Sequence, residues 1–286
     1  MEDNKFKKYL IILSIAIVVL FILNRTLDDY KLRILNLCGI YVILGLSMNL
    51  INGLTGLFSL GHAGFMAVGA YTVAVLTMPV AVKEMNFFMK PMVPFLANVE
   101  WHFLPALLMA GIVSGLIGFL IGAPVLRLTD DYLAIATLGF AEIIRVIFTN
   151  TQSLTNGALG LKGIPDKTNI GWSWGIAILT ILFMEFLMRG SYGKAFKAIR
   201  EDEIAAQSMG INLFKHKVLS FTFGSFLAGV GGGLLAALLG TIDPNMFRIA
   251  LTFNILLIVV LGGLGSIMGT TIAAIIVTVM MEGLRF

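Results

Sequence analysis

The chain has 286 residues; 58% are hydrophobic, only 13% are charged, and the formal net charge is +4. Soluble domains carry about 25% charged residues, so this composition excludes a soluble exterior and, being so apolar, excludes disorder as well. It is the composition of a polytopic membrane protein: eight spans of about 20 residues would consume about 160 residues, leaving short loops and no room for a separate catalytic domain.

In chain order, Lys5, Lys7 and Lys8 precede an apolar run over 9–23. Asn24, Arg25 and Thr26 follow in place of a small-residue cleavage site, so the run is expected to be a retained first span with a cytoplasmic amino end. Residues 32–51 are expected to return inward. The Gly-rich stretch 52–64 is too irregular for a simple helix, and 65–82 goes out again. A loop over 83–101 holds Pro91 and Pro94. The span 103–123 carries Gly111, Gly115, Gly118 and Gly122 on one face, a pattern that lets helices approach closely in lipid. Pro124 is expected to stop it before an inside turn with Arg127, Asp130 and Asp131.

Residues 132–149 lead out to a polar loop over 150–171, which is either a plain connector or a surface for an external protein. Residues 172–188 lead back in, with Trp172 and Trp174 expected as interfacial anchors. After the polar stretch 189–217, residues 218–239 go out to a turn at Asp243-Pro244-Asn245. A short apolar piece over 249–261, a Gly-rich break over 262–265 and a last segment over 266–281 complete the chain. These directions put ten cations inside against eight outside, and six of the ten lie in 189–217. That bias agrees with basic cytoplasmic loops and requires no nucleic-acid partner.

The lone Cys38 allows no internal disulfide, and His62, His102 and His216 are too far apart in sequence to suggest a metal site. Within 189–217, Ala195, Ala198, Ile199, Ala205, Ala206 and Met209 recur near helical spacing around the charged run Arg200–Glu201–Asp202–Glu203. Two short amphipathic helices ending at Gly210 fit this pattern. They either present small residues to a groove on a partner or merely link two spans along the membrane surface. Non-helical backbone at membrane depth is tolerated only where it is buried or lines a cavity. On that ground Asn49, Asn52, Gly53, Thr55, Gly56, Ser59, Gly61, His62 and Gly64 are candidates for a broken helix lining a pathway, or for its packing alone. His62 reads best as a hydrogen-bonded structural residue. The 262–265 break repeats this pattern near the other end, as two structural halves would predict. Glu142 and Arg145, at i and i+3, read as an intramembrane ion pair, structural or a substrate clamp. Glu185 is expected to reach water or Arg189.

Ala205-Ala206-x-x-x-Gly210 resembles the short cytoplasmic signature by which importer permeases of the ATP-binding-cassette class dock onto their ATPases, with Ile204 at the place of the usual Glu. The run Gly193-Lys194-Ala195-Phe196-Lys197-Ala198-Ile199-Arg200-Glu201-Asp202, followed by Ala205-Ala206 and Met209-Gly210-Ile211, resembles the branched-chain amino acid permeases. Leu44–Leu50 with Gly53, Thr55-Gly56, Ser59-Leu60-Gly61-His62-Ala63-Gly64-Phe65 and Gly69-Ala70-Tyr71 is similar to that family's amino-terminal half. Residues 131–145, with Asn150, Leu154-Thr155-Asn156-Gly157 and Gly163-Ile164-Pro165, are similar to its middle, Asn156 standing where a second Gly is usual.

The resemblance covers about residues 40–285. It implies an all-α, polytopic integral membrane protein of about 8–10 segments, like a type II importer permease with re-entrant or broken helices. Residues 1–286 would form one permease domain with its coupling loop at 189–217, either truncated at the carboxyl end or ending naturally early. The implied coupling residues are Gly193, Ala195, Ala198, Arg200, Glu201, Ala205, Ala206 and Gly210. The implied partners are two cytoplasmic ATPase subunits, which carry the ATP and Mg, a homologous second permease, an extracytoplasmic solute-binding protein and the lipid bilayer. No cofactor is expected on this chain, and no Walker-type loop occurs in it. Branched-chain or related amino acids are the expected substrates. Urea, amides or another small solute are the alternative within the same architecture. An ion-coupled secondary transporter is the alternative outside it, and would need more deep acidic residues than Glu142 and Glu185.

Overall fold

A computed structural model of the chain describes residues 27–128 and 130–284; the expected first span over 9–23 and its amino end lie outside the described residues. Helix α1 (Asp29–Met48) continues directly into a π-helical stretch, Asn49–Leu54. Helices α2 (His62–Thr77), α3 (Val80–Asn86), α4 (Pro94–Ala97), α5 (Phe103–Val125), α6 (Asp130–Asn150) and α7 (Gln152–Thr155) follow. The strand β1 (Leu161–Lys162) precedes α8 (Ile170–Arg189), α9 (Ser191–Glu201), α10 (Glu203–Ser208) and α11 (Leu213–Leu239). The strand β2 (Thr241–Ile242), α12 (Ile249–Gly262) and α13 (Ile267–Gly283) end the described chain. Among the described residues, five helical stretches are long and apolar enough to cross a membrane: Asp29–Leu54, Phe103–Val125, Tyr132–Asn150, Ile170–Arg189 and Leu213–Leu239. Three apolar helices, α2, α12 and α13, are shorter.

The boundaries differ from the expected ones for local reasons. Pro124 sits within the last turn of α5, which runs one residue further. Residues 213–217, expected in the polar loop, form the first turn of α11, where the Asn212 side chain accepts a hydrogen bond from the Lys215 amide at 2.9 Å and caps the helix. The loop over 150–171 is not a free connector: β1 pairs antiparallel with β2, with Leu161 opposite Ile242, a small exception to an otherwise helical fold.

α11 is the central helix, and it packs by small residues. Gly69 of α2 and Gly229 of α11 bring their backbones into direct contact, and Gly232 does the same against Met66. On α5, the expected small-residue face meets α11: Gly111 and Gly115 lie against Phe226, Gly118 against Ser225 and Gly122 against Phe221. Where α2, α5 and α11 meet, Ser114 Oγ of α5 lies within donor distance of the carbonyls of Phe65 (3.0 Å) and Ser225 (2.8 Å), bridging α2 and α11. Lipid tails provide no hydrophobic drive between helices, so close backbone approach and buried hydrogen bonds hold such a bundle together. α1 packs on α8 through Gly39 against Ser173, whose hydroxyl donates to Asn36 Oδ1 at 2.7 Å.

The turns segregate to two ends. At one end, the Val93 amide donates to Ser153 O (3.1 Å), Ile164 to Gly240 O (2.9 Å) and the Asn86 amide group to Lys162 O (2.8 Å). The segments expected outside over 83–101 and 150–171 and the turn after α11 thus meet at this end. The polar segment, the Arg127 turn and the 262–265 break gather at the other end, where the Arg127 guanidinium lies 5.5 Å over the Phe214 ring.

Candidate functional site

The candidate pathway residues fall on a break narrower than the sequence suggests. The helix survives to Leu54, because the π-helical turn keeps its backbone bonded, and Leu57 N still reaches Ile51 O at 3.0 Å. Only residues 55–61 leave helical geometry before His62 starts α2. Several of the freed groups find partners. Asn52 Nδ2 donates to Ser59 O (3.1 Å) and Asn52 Oδ1 accepts from Ser59 N (3.4 Å), spanning the break. Thr55 Oγ1 donates to Leu50 O (2.9 Å) and lies 2.6 Å from Ser220 Oγ of α11. Leu60 N donates to Thr137 Oγ1 of α6 (3.0 Å), and Ala63 N to Thr252 Oγ1 of α12 (3.1 Å). His62 Nε2 is 2.8 Å from Ser47 Oγ of α1, as a structural histidine would be.

Asn49, Asn52, Thr55, Ser59 and His62 are therefore all buried, with their side chains bonded within this chain. Gly53, Gly61 and Gly64 are buried too, the last two against Thr137 and Ala141 of α6. The exposed positions of the break are Gly56 and Phe58. In the sequence, the hydroxyls that serve the break, Thr137, Ser220 and Thr252, show only as isolated polar positions in apolar spans.

The polar segment forms the expected helix pair. α9 buries Phe196 and Ile199 against the bundle and turns Lys194 and Lys197 outward. The small residues do not make its outer face: Gly193 and Ala195 are buried, Gly193 against the Met188 backbone, Ala198 is half-buried, and in α10 Ala206 is buried. Asp202 separates the two helices and caps α10, its Oδ1 accepting from Ile204 N (2.8 Å) and Ala205 N (3.0 Å). α10 closes as expected at Gly210. With φ at 84°, Gly210 N donates to Gln207 O (2.9 Å) and Ile211 N to Ala206 O (3.1 Å), a Schellman cap that suits glycine. The surface left outward carries Ala205, Glu201, and two large apolar side chains, Ile204 (79% exposed) and Met209 (84% exposed). Lys217 of α11, itself buried, holds the segment from beneath through an ion pair with Glu203 at 2.6 Å. This pair has no signature in the sequence, because its members belong to two different helices.

The two Gly-rich breaks and the polar segment converge on one point. Asn49 Oδ1 accepts from Gly265 N (2.8 Å) and Asn49 Nδ2 donates to Ser266 O (3.1 Å). Arg200 Nη1 donates to Gly53 O (2.7 Å) and to Leu264 O (3.3 Å). Gly265 takes φ 81° and its position is crowded by the Arg200 guanidinium; any Cβ there would collide with it. The resemblance between the two breaks is therefore also a contact.

Elsewhere, Arg145 Nε donates to both Glu142 oxygens (2.9 and 3.0 Å) and Nη2 adds a further contact, so the expected pair forms on the α6 surface, with Arg248 and Asn245 beside it. Glu185 lies 3.8 Å from Arg189. Trp172 and Trp174 are used in packing: Trp172 meets Phe103 edge-on, with 5.3 Å between centroids, and Trp174 Nε1 donates to Leu35 O at 2.8 Å. A cavity of about 430 Å³ opens at the far end, lined by Val68, Tyr71, Met109, Phe148 and other apolar side chains. Among the described residues, no cluster of His, Cys, Asp and Glu could hold a metal ion.

Residues 30–286 match the family described as branched-chain amino acid transport system permease component. The chain is 35% identical to the high-affinity branched-chain amino acid transport system permease protein LivM of Salmonella typhimurium, over 96% of this chain and 67% of that one. It is 34% identical to Escherichia coli LivM, over 98% of this chain and 69% of that one. It is 27% identical to the probable branched-chain amino acid transport permease protein LivM of Methanocaldococcus jannaschii, over 83% of this chain and 76% of that one. No solved structure matches.

Proposed function

Because the chain belongs to the branched-chain amino acid transport permease family, as a multi-pass membrane permease subunit of an ATP-driven importer and not an enzyme, we propose that it carries branched-chain or related amino acids inward. A homologous second permease completes the pathway, two cytoplasmic ATPase subunits complete the importer, and the α9–α10 segment docks onto an ATPase. Hydrolysis of ATP with Mg takes place on those subunits, and an extracytoplasmic binding protein delivers the solute to the opposite end.

The carrying observation is the outer face of α10. Ile204 and Met209 stand exposed in the most polar stretch of the chain, on a short helix held by a Schellman cap and by Lys217. Exposed apolar anchors rimmed by polar residues suit a groove on another protein. On this reading the segment's end of the bundle faces the cytoplasm, which agrees with its share of the cations.

The test is reconstitution of this chain with its second permease, ATPases and binding protein in proteoliposomes. ATP-dependent uptake of leucine, isoleucine or valine is expected. Uptake of urea or amides in their place would overturn the substrate class. Uptake that survives without ATP and collapses with a protonophore would overturn the ATP-driven reading.

A further inference from the structure

Arg200 occupies an unusual position for a residue of a surface segment. It is the only described residue that donates to both helix breaks, joining positions 147 and 64 residues away in the chain. Both acceptors are carbonyls released from helical bonding, Gly53 O at the end of the π-helical turn and Leu264 O in the turn between α12 and α13. Gly53 is buried, and a released carbonyl within a bundle needs such a donor; Leu264 stands in an exposed turn, where the same guanidinium reaches its carbonyl. The backbone carrying the guanidinium is seated as closely: an atom added at Gly56 would lie 3.2 Å from Arg200 Cα. α9 cannot slide independently, since Phe196 and Ile199 pin it to the bundle. Asn49 ties the two breaks together beneath the guanidinium. Two residues beyond Arg200, Asp202 begins the helix that presents Ile204 and Met209.

Resting on the permease reading above, we propose that Arg200 is a positioning residue that delivers movement of the docked α9–α10 segment to both helix breaks at once. The planar guanidinium is suited to this. It offers several fixed donors and can hold two carbonyls in one geometry, whereas a lysine ammonium is a single point charge on a flexible stem. When the ATPases pull or release α10, the force passes through the short link at Asp202 into α9. Arg200 then shifts Gly53 and Leu264 together, so the end of α1 and the α12–α13 turn move as one unit. Loss of the guanidinium would leave the docking face intact and disconnect it from the breaks.

The experiment uses the complete importer in proteoliposomes with Arg200→Gln and Arg200→Lys. Four quantities are read: ATPase co-purification, ATP hydrolysis without solute, its stimulation by the loaded binding protein, and uptake per ATP hydrolysed. Both variants are expected to retain the ATPases and hydrolyse ATP. Uptake per ATP should fall about tenfold in Arg200→Gln, the size of an ordinary coupling energy, and less in Arg200→Lys. An unchanged ratio in Arg200→Gln overturns the proposal, as does loss of ATPase co-purification, which would make the role one of docking or folding. A second measurement needs no Arg200 variant. Spin labels on Lys197 and Leu264 should keep a constant separation between nucleotide-free and ATP-trapped complexes, and a change in that separation overturns the proposal. If the unmutated complex shows no ATP-driven uptake, the permease reading fails; if it transports and Arg200→Gln keeps the ratio, only the role of Arg200 fails.

Discussion

Asn49 and Gly265, 216 positions apart, share a 2.8 Å hydrogen bond from the Gly265 amide to the Asn49 side-chain oxygen. The same side chain donates to Ser266 O, so one fully buried amide closes both groups of the second break. Asn49→Ala takes the partner from the Gly265 amide, which costs about 1–2 kcal/mol, while Ser266 O still accepts from Thr270 N (3.1 Å) and Thr270 Oγ1 (2.8 Å). Asn49→Asp keeps the acceptor for Gly265 but loses the donor, and brings a charge into the bundle unless it is protonated. We expect both variants to melt below the unmutated protein in detergent, the aspartate variant more steeply as pH rises above the carboxylate range. Equal melting temperatures for Asn49→Ala and the parent would refute the assigned role.

Gly69 and Gly229 meet backbone to backbone where α2 crosses α11, whereas Gly139 on α6 has open space around its Cα. Gly69→Leu should therefore abolish folded, membrane-inserted protein, because neither helix axis can retreat without breaking the Ser114 bridge. Gly139→Ala should be harmless or slightly stabilising, since it improves helix propensity without a clash. Size-exclusion profiles of the two variants in one detergent check this; a well-behaved Gly69→Leu protein would mean the crossing is looser than described.

The Glu203–Lys217 pair is asymmetric: Lys217 is nearly covered, while Glu203 is about half exposed. Removing the exposed partner strands a covered ammonium, and removing the covered one leaves a carboxylate that water can solvate. Glu203→Gln is expected to cost about 1–2 kcal/mol and Lys217→Met less than that. Both should weaken ATPase co-purification, because α10 loses its support. Thermal unfolding of the two variants side by side tests the order; the reverse order would contradict it.

Lys83 lies in the outer end, where its ammonium donates to Leu96 O at 2.9 Å and to Val99 O. Burial lowers its pKa below the ordinary 10.5, with the nearby Glu100 opposing. A group whose pKa is lower in the folded state binds fewer protons there than in the unfolded chain. Stability gained from it therefore rises with pH between the depressed folded value and 10.5, and is flat below that window. The difference in unfolding temperature between the parent and Lys83→Met should shift in the parent's favour as pH climbs through this range. A flat difference would show that the ammonium is not desolvated.

Much of this molecule is legible along the chain. Apolar runs and their lengths determined a helical membrane protein, since backbone in lipid must bond within its own segment. Gly111, Gly115, Gly118 and Gly122 determined a close helix face, and Gly210 the end of α10, because both depend only on local spacing and local φ. The polar stretch with Gly193 through Gly210 marked out two short amphipathic helices by its charge density and helical spacing. Only the tertiary structure decided which of those residues face out. Ala206 and Gly193, the small residues that look presented, are turned inward by the anchoring of Phe196 and Ile199, and Ile204 and Met209 take the surface. It also decided where the first break begins: Leu50 to Leu54 remain helical, with Thr55 and Ser220 hydroxyls on Leu50 O and the Leu57 amide on Ile51 O. The meeting of Arg200, Asn49, Gly53 and Gly265 has no sequence signature at all. Each contact joins distant segments through a single side chain, and spacing along a chain records the pitch of one helix but not which other helix lies across from it.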